Sequence, residues 1–181
     1  GEIAAVGTCV DQDRYPIGQT VAVGLLTACN ACEFCKEGNQ QSCPNLSQNI
    51  HRDGLPYKGI GGLAEYILVE SVNLFPYTGV SAEEAAIIEP LSCVHQSMMR
   101  AQVQPGDTVL VVGCGIMGLL HVKMAALQGA AVIAADLNPA RLQDALKMGA
   151  RHVIAEGENL RKKVLDITGG RGVDIAFDTV P

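Results

Sequence analysis

The sequence lacks the features that mark several other classes of protein. It has no run of lysine and arginine, and its formal net charge is -6, so neither a nucleic acid nor an anionic membrane is an expected partner. The two stretches without charged residues, 15–32 and 108–122, are interrupted by glycine or proline or are too short to cross a bilayer. Charged residues make up only 18% and hydrophobic residues 48%, which excludes a disordered chain and predicts a buried core.

The sequence also lacks a recognisable leader, an internal repeat and a low-complexity segment. It begins at Gly1, with no initiating methionine and no signal or transit peptide. Four of the seven cysteines lie within the fifteen residues 29–43. A chain with this much apolar material does not need disulfides for stability. Clustered cysteines therefore indicate reduced, metal-bound thiols and favour a cytoplasmic protein.

The first half of the chain is predicted to be rich in β-structure. Apolar segments at 2–6, 20–26, 64–69 and 72–75 are separated mostly by turn-forming residues. Ser81 and Glu84 then have the spacing of a capping box, which predicts a helix that continues to about Ile88. We expect Pro90 to interrupt this helix and a second helix to cover 91–101.

The second half alternates between strands and helices, which predicts a parallel sheet built from βαβ units. Asn138 and Pro139 are placed as the N-cap and first residue of one helix. The fold class is therefore α/β in this half. The predicted strands cover 109–112, 131–135, 152–155 and 173–178, and the predicted helices cover 117–128, 139–148 and 160–168.

The cysteine cluster has the spacing C-x2-C-x2-C-x7-C, formed by Cys29, Cys32, Cys35 and Cys43. Short loops of this kind let four thiolates surround one zinc ion in a closed tetrahedron, which leaves no position for catalysis. Disulfides are disfavoured because adjacent C-x2-C steps would form strained loops. An iron–sulfur cluster stays open as an alternative, since the first three cysteines share part of a ferredoxin spacing. Unligated thiols are the third alternative.

A glycine-rich turn follows the first predicted strand of the second half. The segment 113–118 fits G-x-G-x-x-G, and it lies between a predicted strand and a predicted helix, which is the context of a dinucleotide-binding turn. The first glycine permits the tight turn, the second lets the backbone approach the pyrophosphate, and the third allows close helix packing. The helix N-terminus supplies N–H donors for the phosphates. The expected cofactor-binding residues here are Gly113, Gly115, Met117 and Gly118.

Asp136 ends the next predicted strand, eighteen residues after Gly118. A carboxylate in this position can accept hydrogen bonds from both ribose hydroxyls of the adenosine and would repel a 2′-phosphate. NAD is therefore the expected coenzyme. The alternative is an aspartate that caps the following helix, although Asn138 already occupies the capping position.

Taken in order, these motifs resemble the zinc-dependent medium-chain dehydrogenases of the alcohol dehydrogenase superfamily. The match extends over the whole chain through the segments 1–7, 18–23, 62–66 and 105–109, and Gln19 departs from the family's usual aspartate. The resemblance implies a GroES-like catalytic domain over 1–88, with the structural zinc loop. It further implies a linker helix and the first part of a Rossmann domain over 89–181.

Within that family, the segment 89–92 (Glu-Pro-Leu-Ser) resembles the sorbitol or polyol branch. The resemblance implies that Glu89 is a catalytic residue, either a ligand of a catalytic zinc or a group beside the zinc-bound water. The alternative is a solvated glutamate at a helix end. Leu137 and Arg141 also match this branch, and Arg141 is implied to lie along the adenosine. The histidines at 51, 95, 121 and 152 are not expected to replace the catalytic ligands.

The activity that the resemblance implies is hydride transfer between NAD and a secondary alcohol, such as a polyol, a sugar alcohol or a related hydroxy compound. An L-threonine or vicinal-diol dehydrogenase of the same superfamily is one alternative. A non-catalytic, NAD-binding and zinc-stabilised assembly protein is another. The resemblance also implies that the chain is an internal fragment, with the other catalytic-zinc ligands before Gly1 and the nicotinamide contacts after Pro181. The resemblance further implies a homo-oligomer, either a dimer or a tetramer.

Overall fold

The computed structural model describes residues 1–24, 28–46, 64–155 and 159–180. It divides into two compact units, Gly1–Glu89 and Pro90–Pro181. The sequence places the domain boundary between residues 88 and 89, and that position stays a prediction. Among the described residues, no helix has both the length and the apolar character needed to cross a membrane.

The first unit contains one antiparallel pair of short strands in its described part. Strand β1 (Val21–Val23) pairs with β2 (Leu74–Pro76), and Val21 lies opposite Pro76. The buried side chains of Ile3, Tyr15 and Val21 pack together beside them. Two short turns of helix lie between Cys32 and Cys43: α1 (Glu33–Lys36), which contains Cys35, and a 3₁₀ turn (Gln40–Ser42).

The predictions of regular strands at 2–6 and at 64–69 were wrong. Glu2 forms only an isolated bridge with Thr20, and no strand lies within 64–69. The strand predicted at 72–75 begins two residues late, because Ser71–Asn73 forms a 3₁₀ turn. An apolar segment shows which residues are suited to burial, whereas a strand also needs a partner in register. Residues 62 and 63 of one family-like segment lie outside the described residues.

Two helices lie near the boundary between the units in the sequence, and they differ from the prediction at Pro90. Helix α2 covers Ala82–Ala85 and begins with the predicted capping box, in which Ser81 and Glu84 bond reciprocally. Helix α3 then covers Ile88–Ala101 and includes Pro90 in its first turn. The prediction that Pro90 interrupts a helix was wrong. The first N–H groups of a helix have no intrahelical acceptor, so proline is tolerated there.

The second unit is a four-stranded parallel sheet in the order β5-β4-β3-β6. The α/β prediction is therefore confirmed, and each predicted strand and helix is present within two residues of its predicted ends. The order places β4 and β6 on opposite sides of β3, which makes the end of β3 the topological switch point. The elements are β3 (Thr108–Val112), α4 (Ile116–Leu127), β4 (Ala131–Ala135), α5 (Pro139–Met148), β5 (His152–Ile154), α6 (Leu160–Ile167) and β6 (Ile175–Asp178).

Both faces of this sheet are covered by apolar side chains. Val109 and Val111 of β3 lie in the larger core with α4 and α5, whereas Leu110 lies in the smaller core with Val164 of α6. Successive strand residues point to opposite faces, so a strand covered on both sides must be apolar throughout. This explains why β3 and β4 are continuous apolar runs, and it leaves the polar chemistry to the strand ends.

Candidate functional site

The four clustered cysteines meet around one point in the first unit. Their sulfur atoms all lie within 4.8 Å of one another. The Sγ atoms of Cys32 and Cys35 are 3.4 Å apart, and those of Cys43 and Cys29 are 3.6 Å apart. Four sulfurs that bind zinc tetrahedrally at about 2.3 Å are about 3.8 Å apart. The spacing of these sulfurs therefore fits a tetrahedral zinc ion.

The pKa values of two of these cysteines are shifted in opposite directions. The pKa of Cys29 is lowered to about 5, because the Asn45 side chain and the backbone N–H groups of Ala31 and Cys32 donate to its sulfur. The pKa of Cys35 is raised to about 12 by desolvation and by the neighbouring sulfurs of Cys32 and Cys43. One thiolate is thus favoured without metal, and a bound zinc would displace the remaining protons.

The glycine turn connects β3 to α4 at the switch point. Gly113 has φ +88°, and a methyl group on Gly118 would overlap the carbonyl group of Gly113. A methyl group on Gly115 would meet open space. Gly115 is also the N-cap of α4 and has no side chain to cap it. The first N–H groups of α4 thus have no capping side chain, which suits an anionic group such as a pyrophosphate.

Asp136 lies at the end of β4 beside this turn. Its Oδ2 accepts a hydrogen bond of 2.6 Å from the Cys114 backbone N–H, and its Oδ1 accepts one of 2.7 Å from the Asn138 N–H. Burial raises the pKa of Asp136, but these two bonds and Arg141, whose Nη1 is 3.9 Å from Oδ2, outweigh burial and lower the pKa. The Asp136 side chain is therefore an anion at neutral pH. The helix α5 is capped by Asn138, as predicted, and not by Asp136.

The structure thus brings Asp136, Arg141 and the glycine turn together. Arg141 lies on α5, and its side chain is 56% exposed. Met117 is half-buried in the first turn of α4. Glu89 lies in the first turn of α3, belongs to the first unit and is exposed.

A cleft of about 540 Å³ lies next to the turn, and its polar residues were not identified from the sequence. Its lining includes Ser97 of α3, His121 of α4 and Thr179, which follows β6. His121 is only 5% exposed; its Nδ1 donates to the Met117 carbonyl at 2.8 Å, and its Nε2 is 3.1 Å from Ser97 Oγ. From the sequence, His121 was assigned no role at the site. One feature of the sequence could have indicated Thr179 as a site residue, namely its position directly after the fourth predicted strand.

Comparison with protein families matches both parts of the chain. Residues 1–79 match the model of the alcohol dehydrogenase GroES-like domain, and residues 117–181 match that of the zinc-binding dehydrogenases. Among curated proteins, the chain is 40% identical to the sorbitol dehydrogenase of Bacillus subtilis (strain 168) over 99% of this chain and 50% of that protein. The chain spans about half the length of the curated relatives it matches.

Solved structures show the same similarity. Galactitol-1-phosphate dehydrogenase from Escherichia coli superposes with a TM-score of 0.83 at 28% identity, over 99% of this chain and 51% of that one. An alcohol dehydrogenase from Escherichia coli CFT073 in complex with NADH gives 0.83 at 28% identity, over 100% and 52%. With the GroES-like and zinc-binding dehydrogenase families matched in this order, the chain belongs to the zinc-binding dehydrogenases of the alcohol dehydrogenase superfamily, near the polyol dehydrogenases.

Proposed function

We propose that the protein is a zinc-dependent oxidoreductase that transfers a hydride between NAD and a secondary alcohol of a polyol, a sugar alcohol or a related hydroxy compound. The observation that carries the proposal is the anionic Asp136 hydrogen-bonded to the glycine turn at the switch point of a parallel sheet. Ligands bind at this position in open α/β sheets. The sorbitol and galactitol-1-phosphate dehydrogenases among its relatives favour the polyol class.

Each group of site residues in this chain has its own proposed role. Gly113, Gly115, Met117 and Gly118 receive the pyrophosphate, Asp136 accepts hydrogen bonds from the adenosine ribose, and Arg141 lies along the adenosine. Cys29, Cys32, Cys35 and Cys43 hold a structural zinc ion. Glu89 acts at the catalytic metal, as a ligand or as a proton acceptor beside it. When bound, NAD accepts the hydride and the catalytic zinc acts as a Lewis acid.

The test is turnover of the intact protein with NAD and a panel of alcohols, followed as NADH absorbance. We expect reduction of NAD with sorbitol or a related polyol. Threonine and 2,3-butanediol belong in the panel because an L-threonine or vicinal-diol dehydrogenase is the alternative within the family. NADH binding without turnover of any alcohol would contradict the proposal and favour a non-catalytic, zinc-stabilised assembly protein.

Glu89→Gln, with Glu83→Gln as the matched control on α2, tests the catalytic assignment. The amide keeps the shape of the side chain but can no longer accept a proton, so turnover should fall by at least about a hundredfold. NADH affinity should stay within about twofold of wild type. Equal turnover in the two variants would exclude Glu89 from the reaction.

We further propose that the protein forms a dimer or a tetramer and is located in the cytoplasm. Analytical sedimentation would test the oligomeric state, and cell fractionation would test the location.

A further inference from the structure

We propose that Thr179 is a positioning residue for the coenzyme: its hydroxyl and the carboxylate of Asp136 hold the two ends of one peptide group in the glycine turn. The peptide group is the one that joins Gly113 to Cys114. The proposal rests on the proposed coenzyme binding and adds a residue from a third strand to that site. The three strands concerned, β4, β3 and β6, are neighbours in the sheet.

The carbonyl end of the peptide group faces Thr179. The Oγ1 atom of Thr179 is 2.9 Å from the Gly113 carbonyl oxygen and 3.0 Å from that of Val112. The Val112 oxygen already accepts the backbone N–H of Thr179 at 2.9 Å. Because a hydroxyl has one proton to donate, donation to Gly113 gives each of the two carbonyl oxygens its own donor.

The N–H end of the same peptide group faces Asp136. The Cys114 N–H donates to Asp136 Oδ2 at 2.6 Å. A peptide group is planar, so its C=O and N–H rotate together. Side chains from the ends of the two strands that flank β3 therefore fix the orientation of a single plane from opposite sides.

The hydrogen bonds with Thr179 and Asp136 act on a part of the backbone that is otherwise flexible. Gly113 has φ +88°, and glycine has the widest choice of backbone conformations. The turn leads directly to Gly115, the N-cap of α4. Rotation of the plane would move the N–H groups that face the pyrophosphate. A preorganised turn binds the pyrophosphate more tightly, because the backbone of the turn loses less conformational entropy when the ligand binds.

Thr179 also packs against the turn, so the test must separate its hydroxyl from its volume. A methyl group on Gly113 or Gly118 would lie 2.8 or 2.9 Å from Thr179 Oγ1. Thr179→Val keeps the branched shape and removes the hydrogen bond, whereas Thr179→Ser keeps the hydroxyl. Thr168→Val is the matched control, because the buried Thr168 hydroxyl bonds the Val164 carbonyl at 2.8 Å at the end of α6.

The experiment is a fluorescence titration of the intact protein with NADH, with ADP-ribose and adenosine as competitors. We expect Thr179→Val to weaken NADH and ADP-ribose binding by about three- to tenfold, the range for one hydrogen bond. Adenosine should bind as in wild type, because it has no pyrophosphate. The KM for NAD should rise by the same factor with kcat nearly unchanged. Thr179→Ser should restore wild-type affinity, and Thr168→Val should lower only the melting temperature.

Wild-type NADH affinity in a folded Thr179→Val variant would overturn the positioning role and leave the proposed function intact. Equal weakening of all three ligands, or no rescue by serine, would likewise show a structural role only. If the valine variant does not fold, Thr179→Ala gives the same comparison with serine. Absence of NADH binding by the wild-type protein would instead overturn the proposed function, and the positioning role with it.

Discussion

At the scale of single residues, Asp136 has a structural role and, in the proposed function, a binding role as well. Two backbone N–H groups and the Arg141 guanidinium keep its carboxylate charged and hold it in place. A carboxylate has about four acceptor positions, so the two backbone bonds leave capacity for ribose hydroxyls. The side chain therefore both orients the glycine turn and, in the proposed function, selects the coenzyme.

Replacing this carboxylate should change the coenzyme preference. In Asp136→Ser combined with Leu137→Arg, we expect the ratio of NADH to NADPH affinity to fall by about 10- to 100-fold, because a charge-assisted bond contributes about 1.5–3 kcal/mol. Leu137 is 71% exposed, so arginine is accommodated there. Competition titrations with NADH and NADPH give the ratio.

The control for this pair of substitutions is Asp144→Ser. Asp144 lies on α5, its side chain is 49% exposed and it pairs with Lys147 at 2.8 Å, and its loss should leave the ratio unchanged. If the Asp136 double variant and this control have the same coenzyme ratio, Asp136 does not distinguish the two coenzymes.

Cys114 is expected to be chemically inert in the folded protein although it lies in the glycine turn. It is 0% exposed, and burial together with the negative charge of Asp136 raises its pKa to about 11. The thiolate is the reactive form, so between pH 7 and 8 the group stays a protonated thiol. Alkylation by iodoacetamide followed by mass spectrometry should label exposed Cys9 and Cys93. Cys114 should be labelled only after denaturation, and native labelling at the rate of Cys93 would contradict this.

At the scale of elements, Gly115, the N-cap of α4, and Gly118, in the first turn of α4, have separable roles. Gly118→Ala should destabilise the protein by about 1–3 kcal/mol, because a methyl group there overlaps the Gly113 carbonyl. Gly115→Ala should change stability by less than about 1 kcal/mol, because its backbone (φ -72°, ψ -170°) suits alanine and the space is open. The same open space is where the pyrophosphate is proposed to bind, so Gly115→Ala should weaken NADH binding at least about tenfold.

Urea unfolding and NADH titration of the two variants provide the measurements, and each variant serves as the control for the other. A Gly115→Ala variant that binds NADH like wild type would exclude the pyrophosphate from this face of the turn. A fully stable Gly118→Ala variant would contradict the close packing of α4 on β3.

Some helices show that local sequence patterns are sufficient to predict where an element begins and ends. Helix α5 has the predicted bounds because Asn138 caps it, Pro139 begins it and Gly149 ends it with φ +115°. These signals are local, since each residue acts within one turn of the helix. Helix α3 was predicted less well, because proline is compatible with both the first turn of a helix and a break.

At the scale of the whole molecule, the two units hold different parts of the chemistry. The four-cysteine cluster lies in the first unit, and the glycine turn, where the coenzyme is proposed to bind, lies in the second. A closed site of four thiolates has no exchangeable position, whereas a catalytic zinc site keeps one open. The two metals of the proposed enzyme should therefore differ in how readily a chelator removes them.

We expect the intact protein to hold two zinc ions per chain. Chelation with dipicolinate should abolish turnover before the melting temperature falls. Cys43→Ser should lose one zinc and lower the melting temperature by at least about 5 °C, because a structural zinc contributes directly to folding. Cys9→Ser, which changes an exposed cysteine of the same unit, should have neither effect. Metal analysis and calorimetry measure both, and wild-type zinc content in Cys43→Ser would contradict the assignment.

Much of the structure of this molecule can be predicted from local patterns in the sequence. The spacing of the four cysteines, the glycine turn and the alternation of strands with helices are local patterns, and each places its residues near one another whatever the rest of the chain does. The sequence predicted segments that contain β1 and β2 but not their antiparallel pairing, because the two strands are about fifty residues apart and their pairing depends on long-range contacts. For the same reason Thr179 was missed. Its role depends on β6 lying beside β3, and only the order of the strands in the folded sheet brings its hydroxyl to Gly113.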